Sequence, residues 1–478
     1  DNNALLHHSE DANDSKVLLH TEVTKQFPLH QAVAARDLRK IQEILEEHEK
    51  DQSNNNSDTK SDDIPFIDQR DWHGNPAIHL ACHLGYRDVV QFLLAKGADP
   101  SYKNGGGWSL LQEAIASNDR DIARDIYKAF TDKVSSEYKK RVPELLKELE
   151  KIPDFYCELK WEFKSWVPFV SRFCPSDTYK IWKKGSSFRV DTTLMGFEKL
   201  SWIRGNLTIL FMGRGTEHEG QVVLVDHDKK VFQKAAQAKQ PSEAEMNRDV
   251  EELMKQMDLF RTETNTTNVE FNTSKGWFGS EKYEEVAGFK SKLFEMSGFD
   301  YIVIQRKRDA ESMKQYAKSN RLPSWYFRRP TTESRGKGFG LPQPYEKMTS
   351  RVKSFKGTIY LSQDFPHDIK ELMPVFEVLA PTNRHFAKLK DFIQLRFPDY
   401  GFPVKLDLPI FPTMSASVTF LHYEQTTIES SKFEIPKEYK KGKIELLFDF
   451  GKKGESPDED DLEEDTQESL EGTDNNQN

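Results

Sequence analysis

The sequence predicts an α+β protein of several domains, a short stack of helical repeats followed by a sheet-rich domain with interspersed helices. Three observations carry that expectation: a segment near residue 80 recurs 33 residues later, strand-type segments dominate after Cys157, and 478 residues exceed one ordinary domain. Hydrophobic residues make up 36% and charged residues 31%, enough for a buried core, while a mean hydropathy of −0.73 requires long polar stretches beside it. The longest apolar runs, such as Leu207 to Met212, are strand-length and fall far short of the ~18 residues a membrane-crossing helix needs. A protein that spans a bilayer by helices is therefore excluded.

The repeats come first. Gly74-Asn75-Pro76-Ala77-Ile78-His79-Leu80-Ala81 aligns position for position with Gly107-Trp108-Ser109-Leu110-Leu111-Gln112-Glu113-Ala114. An earlier copy, Phe27-Pro28-Leu29-His30-Gln31-Ala32, lies one period and a 16-residue insertion upstream, and the polar run Asp51–Asp63 supplies the insertion. The unit resembles the ankyrin repeat, which has this period, and the likeness continues from Cys82 through Gly97-Ala98-Asp99-Pro100. Val89, Val90, Phe92, Leu93 and Leu94 cover a helix face that must stack on neighbouring repeats, and Gly97 is placed to cap that helix. Leu93 and Leu94 are both expected in the inter-repeat core. Three repeats, over residues 27–130, are about the minimum for a stable stack, so the array is expected to dock on the domain C-terminal to it.

The remaining elements read in order. Residues 1–26 form a flexible segment and 131–159 a helical connector, with Pro143 in the first turn of a helix over Glu144–Glu150. Strands over Ser187–Asp191, Leu207–Met212, Val222–Val225 and Lys230–Gln233 form an antiparallel meander. A helix comes next over Glu243–Phe260, then a loop over Thr262–Asn268 and a short buried strand at Tyr301–Ile304. Strands at Thr358–Leu361, Val404–Leu408 and Ala416–Leu421 are separated by helices around Ile369–Leu379 and Phe386–Phe397. Residues 451–478 read as a disordered acidic tail: Glu455 to Asp474 holds eleven carboxylates and no Lys or Arg, which turns a formal charge of −10 into +1 for residues 1–454.

Five strings carry a second resemblance: Trp161-Glu162-Phe163-Lys164-Ser165-Trp166-Val167-Pro168, Pro175-Ser176-Asp177, Arg189-Val190-Asp191-Thr192-Thr193-Leu194, Gln363-Asp364-Phe365-Pro366, and Gly401 through Thr413. With them, residues 160–450 resemble the GPCR-chaperone domain of the ankyrin repeat domain-containing protein 13 family, nearest its C type. The resemblance implies a non-enzymatic chaperone or adaptor. Its partners would be G-protein-coupled receptors or other membrane protein clients, held peripherally at the cytosolic face of the endoplasmic reticulum, where the protein regulates receptor biogenesis and export. The alternative it leaves open is a ubiquitin-binding endosomal adaptor for internalised receptors. Such adaptors read ubiquitin through short acidic helices with a central Ala, and the tail from Glu455 has no Ala. Ubiquitin is therefore not an expected partner.

Few residues suggest chemistry. His73, His79, Cys82 and His83 cluster as zinc ligands do, yet in the repeat alignment His79 is the histidine that bonds backbone between repeats. Asp226 and Asp228 suit a hairpin turn as well as a cation. Gly336, Gly338 and Gly340 lack the spacing and the strand-helix frame of a phosphate loop. Cys82, Cys157 and Cys174 form no CxxC pair, which favours a reducing compartment. The sequons at Asn13, Asn55, Asn206, Asn265 and Asn272 are read as silent, and no catalytic triad or metal motif is present. No catalytic residue, metal or cofactor is expected. The stretch 305–356 has fourteen Lys/Arg against four Asp/Glu and interleaves Trp325-Tyr326-Phe327 with Arg328 and Arg329. Trp325, Arg328 and Arg329 are candidate membrane-surface residues, against the alternative of a solvated loop, and nucleic acid is not expected.

Overall fold

The structure is a computed structural model and describes residues 27–54, 64–165, 167, 174–198, 201–234, 241–256, 258–307, 326–327, 347–379, 398–411 and 414–444. The segment 1–26, most of the 51–63 insertion, the helix expected over Phe386–Phe397 and the acidic tail 451–478 lie outside the described residues. The chain divides into two compact units, Asp1–Val134 with Pro241–Thr262 and Val303–Arg351, and Ser135–Gln240 with Glu263–Ile302 and Val352–Asn478.

In the first unit, α1 (Pro28–Ala34) pairs with α2 (Leu38–Asn54), α3 (Ala77–His83) with α4 (Arg87–Ala95), and α5 (Leu110–Ala116) with the first turns of α6 (Arg120–Lys151). Local sequence sets the starts. Pro28 occupies the first turn of α1. Ser109 caps α5, its Oγ accepting from Gln112 N while the Gln112 side chain accepts from Ser109 N. Gly97, at φ +92°, closes α4 in the left-handed region. Ile41, Ile78, Leu80, Val89, Val90, Leu93, Leu110, Ile122 and Ile126 form the stack's core, in which Leu93 is fully buried and Leu94 only partly. Leu94 thus departs from expectation: it sits one residue, about 100°, around the helix from Leu93, at the rim of the apolar face.

A later helix, α7 (Glu243–Met254), belongs to the same unit. It opens on a Ser242/Glu245 capping box and ends six residues short of the expected Phe260. Beyond it the chain extends as β7 (Asp258–Asn265), where a loop was expected over Thr262–Asn268. Leu259, buried against Trp108, holds this segment.

The second unit carries a sheet in the order β14-β6-β5-β4-β3-β2-β1-β13-β12-β11-β10, with β8 and β9 also pairing with β10. Its strands are β1 (Phe155–Ser165), β2 (Ser176–Lys184), β3 (Ser187–Glu198), β4 (Ser201–Phe211), β5 (Val222–Asp226), β6 (Val231–Lys234), β8 (Glu270–Thr273), β9 (Tyr283–Val286), β10 (Phe289–Lys307), β11 (Lys347–Ser362), β12 (Phe402–Phe411), β13 (Met414–Gln425) and β14 (Lys440–Lys441). The β3–β6 run is the expected antiparallel meander, and β2 and β1 extend it antiparallel beyond β3; β14 joins β6 in parallel. Tyr301–Ile304 proves to be part of a 19-residue strand rather than a short buried one. Leu145, Leu146 and Leu149 of α6 and Val375 and Val378 of α8 (Met373–Leu379) pack with Phe155, Phe188, Phe211 and Phe402. Pro143 does not start a helix but lies inside the 32-residue α6. Its ring removes one backbone donor, a loss that burial of Leu145, Leu146 and Leu149 just beyond it outweighs.

Candidate functional site

The hairpin tips that precede α3 and α5 are built alike. Asp71 Oδ1 accepts from His73 N and Asn75 N, and 33 residues later Asn104 Oδ1 accepts from Gly106 N and Trp108 N. The two tips approach so closely that a Cβ on Gly105 would lie 2.2 Å from His73 O. Histidines tie successive repeats: His30 Nε2 donates to Asn75 O at 2.9 Å, and His79 Nε2 to Trp108 O at 3.4 Å. Burial pushes His79 down to about 3 and His83 to about 4, and lowers His30 as well. All three stay neutral at physiological pH.

The chain itself occupies these tips. Tyr326, fully buried, donates its hydroxyl to Asp71 Oδ2 at 2.5 Å, accepts from Asn75 Nδ2 at 2.9 Å and offers its carbonyl to His73 Nε2. At the next repeat Arg306, also fully buried, donates through Nη1 and Nη2 to Glu113 Oε1, both at 3.0 Å, and Asn104 Nδ2 donates to the same oxygen. The Trp108 ring lies under Arg306 at 3.9 Å and near Arg261 at 5.4 Å. α7 closes the stack beside α6. Met246 and Val250 are buried, Tyr127 donates to Asp249 Oδ2, and Arg120 and Arg124 pair with Glu251 and Glu243. Repeat stacks present extended concave binding surfaces. Here Asp71, Asn75, Trp108 and Glu113 are already engaged by later segments of the chain.

In the second unit the strings singled out in the sequence meet in pairs. Asp177 of β2, nearly inaccessible, accepts from Thr192 Oγ1 at 2.5 Å, Thr193 N at 3.0 Å, Thr193 Oγ1 at 2.8 Å and Leu194 N at 3.3 Å. Asp191 holds Arg189 at 2.7 Å and accepts from Thr208 Oγ1, which lies 2.8 Å from His227 Nε2; His227 Nδ1 in turn reaches Tyr439. Phe365 stacks on Phe402 with centroids 3.8 Å apart, and Phe420 and Tyr423 pack around them. These contacts join strand to strand.

The other candidates have structural partners. Asp226 Oδ1 accepts from Asp228 N and Lys229 N and turns the β5–β6 hairpin, while Asp228 Oδ2 accepts from Asn206 N. Among the described residues no group of three or more His, Cys, Asp or Glu side chains is placed to hold a metal, and His73 and His79 bond backbone carbonyls. Cys82, Cys157 and Cys174 are free thiols, the first two buried and raised by that burial. Trp325, Arg328 and Arg329 lie outside the described residues, as do Gly336, Gly338 and Gly340; Tyr326, read with the membrane-surface aromatics, is instead buried in the repeat tip. Sequence reasoning missed Arg306, Tyr326 and the exposed pair Trp277-Phe278. The pair had a signal, two aromatics between glycines and between strand segments.

Comparison with known proteins extends the same pattern along the chain. A family model described as ANKRD13 C-terminal matches residues 189–325 and 327–473, and one described as Ankyrin repeats (3 copies) matches 3–104 and 29–135. Ankyrin repeat domain-containing protein 13C-B of Xenopus laevis is 35% identical over 445 residues, covering 87% of this chain and 82% of its own. The human protein 13C is 33% identical, covering 87% and 77%; human 13B is 33% identical over 406 residues, covering 74% and 63%. With the repeat ladder, the paired strings of the sheet and this continuous likeness in agreement, the chain belongs to the ankyrin repeat domain-containing protein 13 family.

Proposed function

We propose that the chain is a non-enzymatic chaperone or adaptor that binds G-protein-coupled receptors at the cytosolic face of the endoplasmic reticulum and regulates their biogenesis and export. The observation that carries this reading is the reach of the kinship: likeness to 13C proteins runs over 87% of the chain, through both the repeats and the sheet. Ankyrin repeats are protein-binding scaffolds. Binding rather than turnover is also supported by Glu113, Asp177 and Asp191, whose carboxylates bond to groups of the fold itself. On this reading residues 27–130 present the client surface, 131–159 connect, and 160–450 form the chaperone domain, with Trp325, Arg328 and Arg329 facing the membrane. On this reading association is peripheral; no helix among the described residues is long and apolar enough to cross a membrane. The test is co-precipitation with full-length chain from cells expressing a receptor. Recovery of the immature receptor is expected; ubiquitin chains without immature receptor would overturn the reading in favour of the endosomal adaptor.

A further inference from the structure

Trp277 and Phe278 are 96% and 94% exposed, adjacent, and on one loop. The loop is a built finger. β8 and β9 both pair with β10, Thr273 opposite Phe294 and Tyr283 opposite Lys292, so the residues between them leave the sheet and return at nearly the same place. Lys282 N donates to Ser274 O, Lys275 and Glu281 form a bridge, and the tip closes through Gly276 N to Ser280 O at 2.7 Å and Gly279 N to Gly276 O at 2.9 Å. Gly279, at φ +78°, makes the tight return. The backbone thus holds two large rings in water without help from any partner.

The surroundings select the occupant. Below the rings the finger is polar: Lys282 pairs with Glu284 at 3.2 Å, Lys292 with Glu281 at 2.5 Å, and Lys290 lies over the Tyr283 ring. Two aromatic side chains present about 300–500 Å², well under the roughly 800 Å² that each side of a stable protein interface buries, and in the collar below them the half-exposed Tyr283 ring is the one aromatic among charged side chains. A convex apolar tip above a ring of charge needs no complementary pocket in a bilayer interface, where Trp is favoured because one part of its ring system is apolar and its N–H is wet. We propose that the Trp277-Phe278 fingertip is a membrane anchor that inserts both rings at the headgroup level of a lipid surface. The fingertip is separate in sequence from the basic stretch 305–356, and the proposal rests only on the membrane-proximal part of the function proposed above.

The test uses full-length protein and vesicles of phosphatidylcholine alone or with phosphatidylserine. Wild type is expected to sediment with both, with a blue shift of Trp emission. Trp277→Ala with Phe278→Ala should lower the bound fraction roughly tenfold, the scale expected when two aromatic anchors are lost from an interface, with an unchanged thermal midpoint because neither side chain packs on the fold. Trp277→Phe should keep binding and lose most of the blue shift. Moderate salt should leave binding to phosphatidylcholine intact, unlike attraction through lysines and arginines. Three results would overturn the proposal: no sedimentation of wild type with either vesicle, equal sedimentation of the double variant, or normal vesicle binding by a double variant that has lost a protein partner. These vesicles hold no receptor, so capture of receptor in detergent succeeds or fails independently.

Discussion

The Arg306 guanidinium lies 3.9 Å from the centroid of Trp108 and donates twice to Glu113, joining residues almost 200 positions apart within one unit. It explains two departures from the repeat. Trp108 and Glu113 stand where the preceding repeat has Asn75 and the fully buried Leu80, and a carboxylate at an apolar position is tolerated only with a partner.

Removing that partner should be costly. Arg306→Ala leaves the buried Glu113 carboxylate without its cation and strips a cation from Trp108, so a loss of about 3–5 kcal/mol is expected. Arg306→Met combined with Glu113→Leu should recover most of it, because an apolar pair needs no desolvation. Urea unfolding of wild type, Arg306→Ala, Arg306→Met, Glu113→Leu and the Met/Leu double variant checks both values, and additivity of Arg306→Met and Glu113→Leu in the double variant would show that the two residues are not coupled.

Leu93 and Leu94 should differ although they are neighbours. Leu93 is fully buried between helices of the stack and Leu94 only partly. Leu93→Ala should cost about 2–5 kcal/mol through lost transfer energy and a cavity, and Leu94→Ala about 1 kcal/mol. Denaturant midpoints of the two variants measure this, and equal losses would place the register one residue off.

Acid should weaken the repeat stack. His30, His79 and His83 are bases whose folded pKa values lie below the ordinary 6.5, at about 3 for His79 and about 4 for His83. The unfolded chain therefore takes up protons first. Stability from keeping these rings neutral is complete above 6.5 and falls as pH drops from there toward 3–4. Near pH 5 the His79 and His83 rings should each cost about 2 kcal/mol relative to neutral pH, and His30 acts in the same direction. The third repeat already carries Gln112 where the others carry His30 and His79, so His79→Gln can keep a donor for Trp108 O. Unfolding of wild type and of His79→Gln/His83→Gln should show the slope between about pH 5 and 7 flattened in the variant; an unchanged slope would assign it elsewhere.

How much of the fold was legible in the sequence depends on how local each signal is. The 33-residue period, the helix faces and the meander could be read because side-chain periodicity reports local structure directly. Pro143 misled because a proline signals both a helix start and a helix interior, and Leu145, Leu146 and Leu149, which decide between them, are buried by partners far along the chain. Arg306 and Tyr326 were read as members of a basic loop, since pairing with Glu113 and Asp71 depends on tertiary approach alone. The strings around Asp177, Thr192, Phe365 and Phe402 could be seen in the sequence, but not that they touch.

Asp177 gives the sharpest test of that touching. The pairing of β3 with β4 shifts register between Thr192 and Leu194, and such a shift frees backbone donors from the ladder. Asp177, one strand away, accepts from Thr193 N and Leu194 N and from the hydroxyls of Thr192 and Thr193. Every neighbour is a donor. Asp177→Asn keeps the shape but turns an amide NH₂ toward those donors, so about 2–4 kcal/mol should be lost. Thr193→Val removes one hydroxyl and leaves both backbone bonds in place, so about 1 kcal/mol is expected. Amide hydrogen exchange supplies a local reading: the Thr193 and Leu194 amides should exchange faster in Asp177→Asn and stay protected in Thr193→Val. Protection unchanged in Asp177→Asn would mean that the shifted strand is held by something other than this carboxylate.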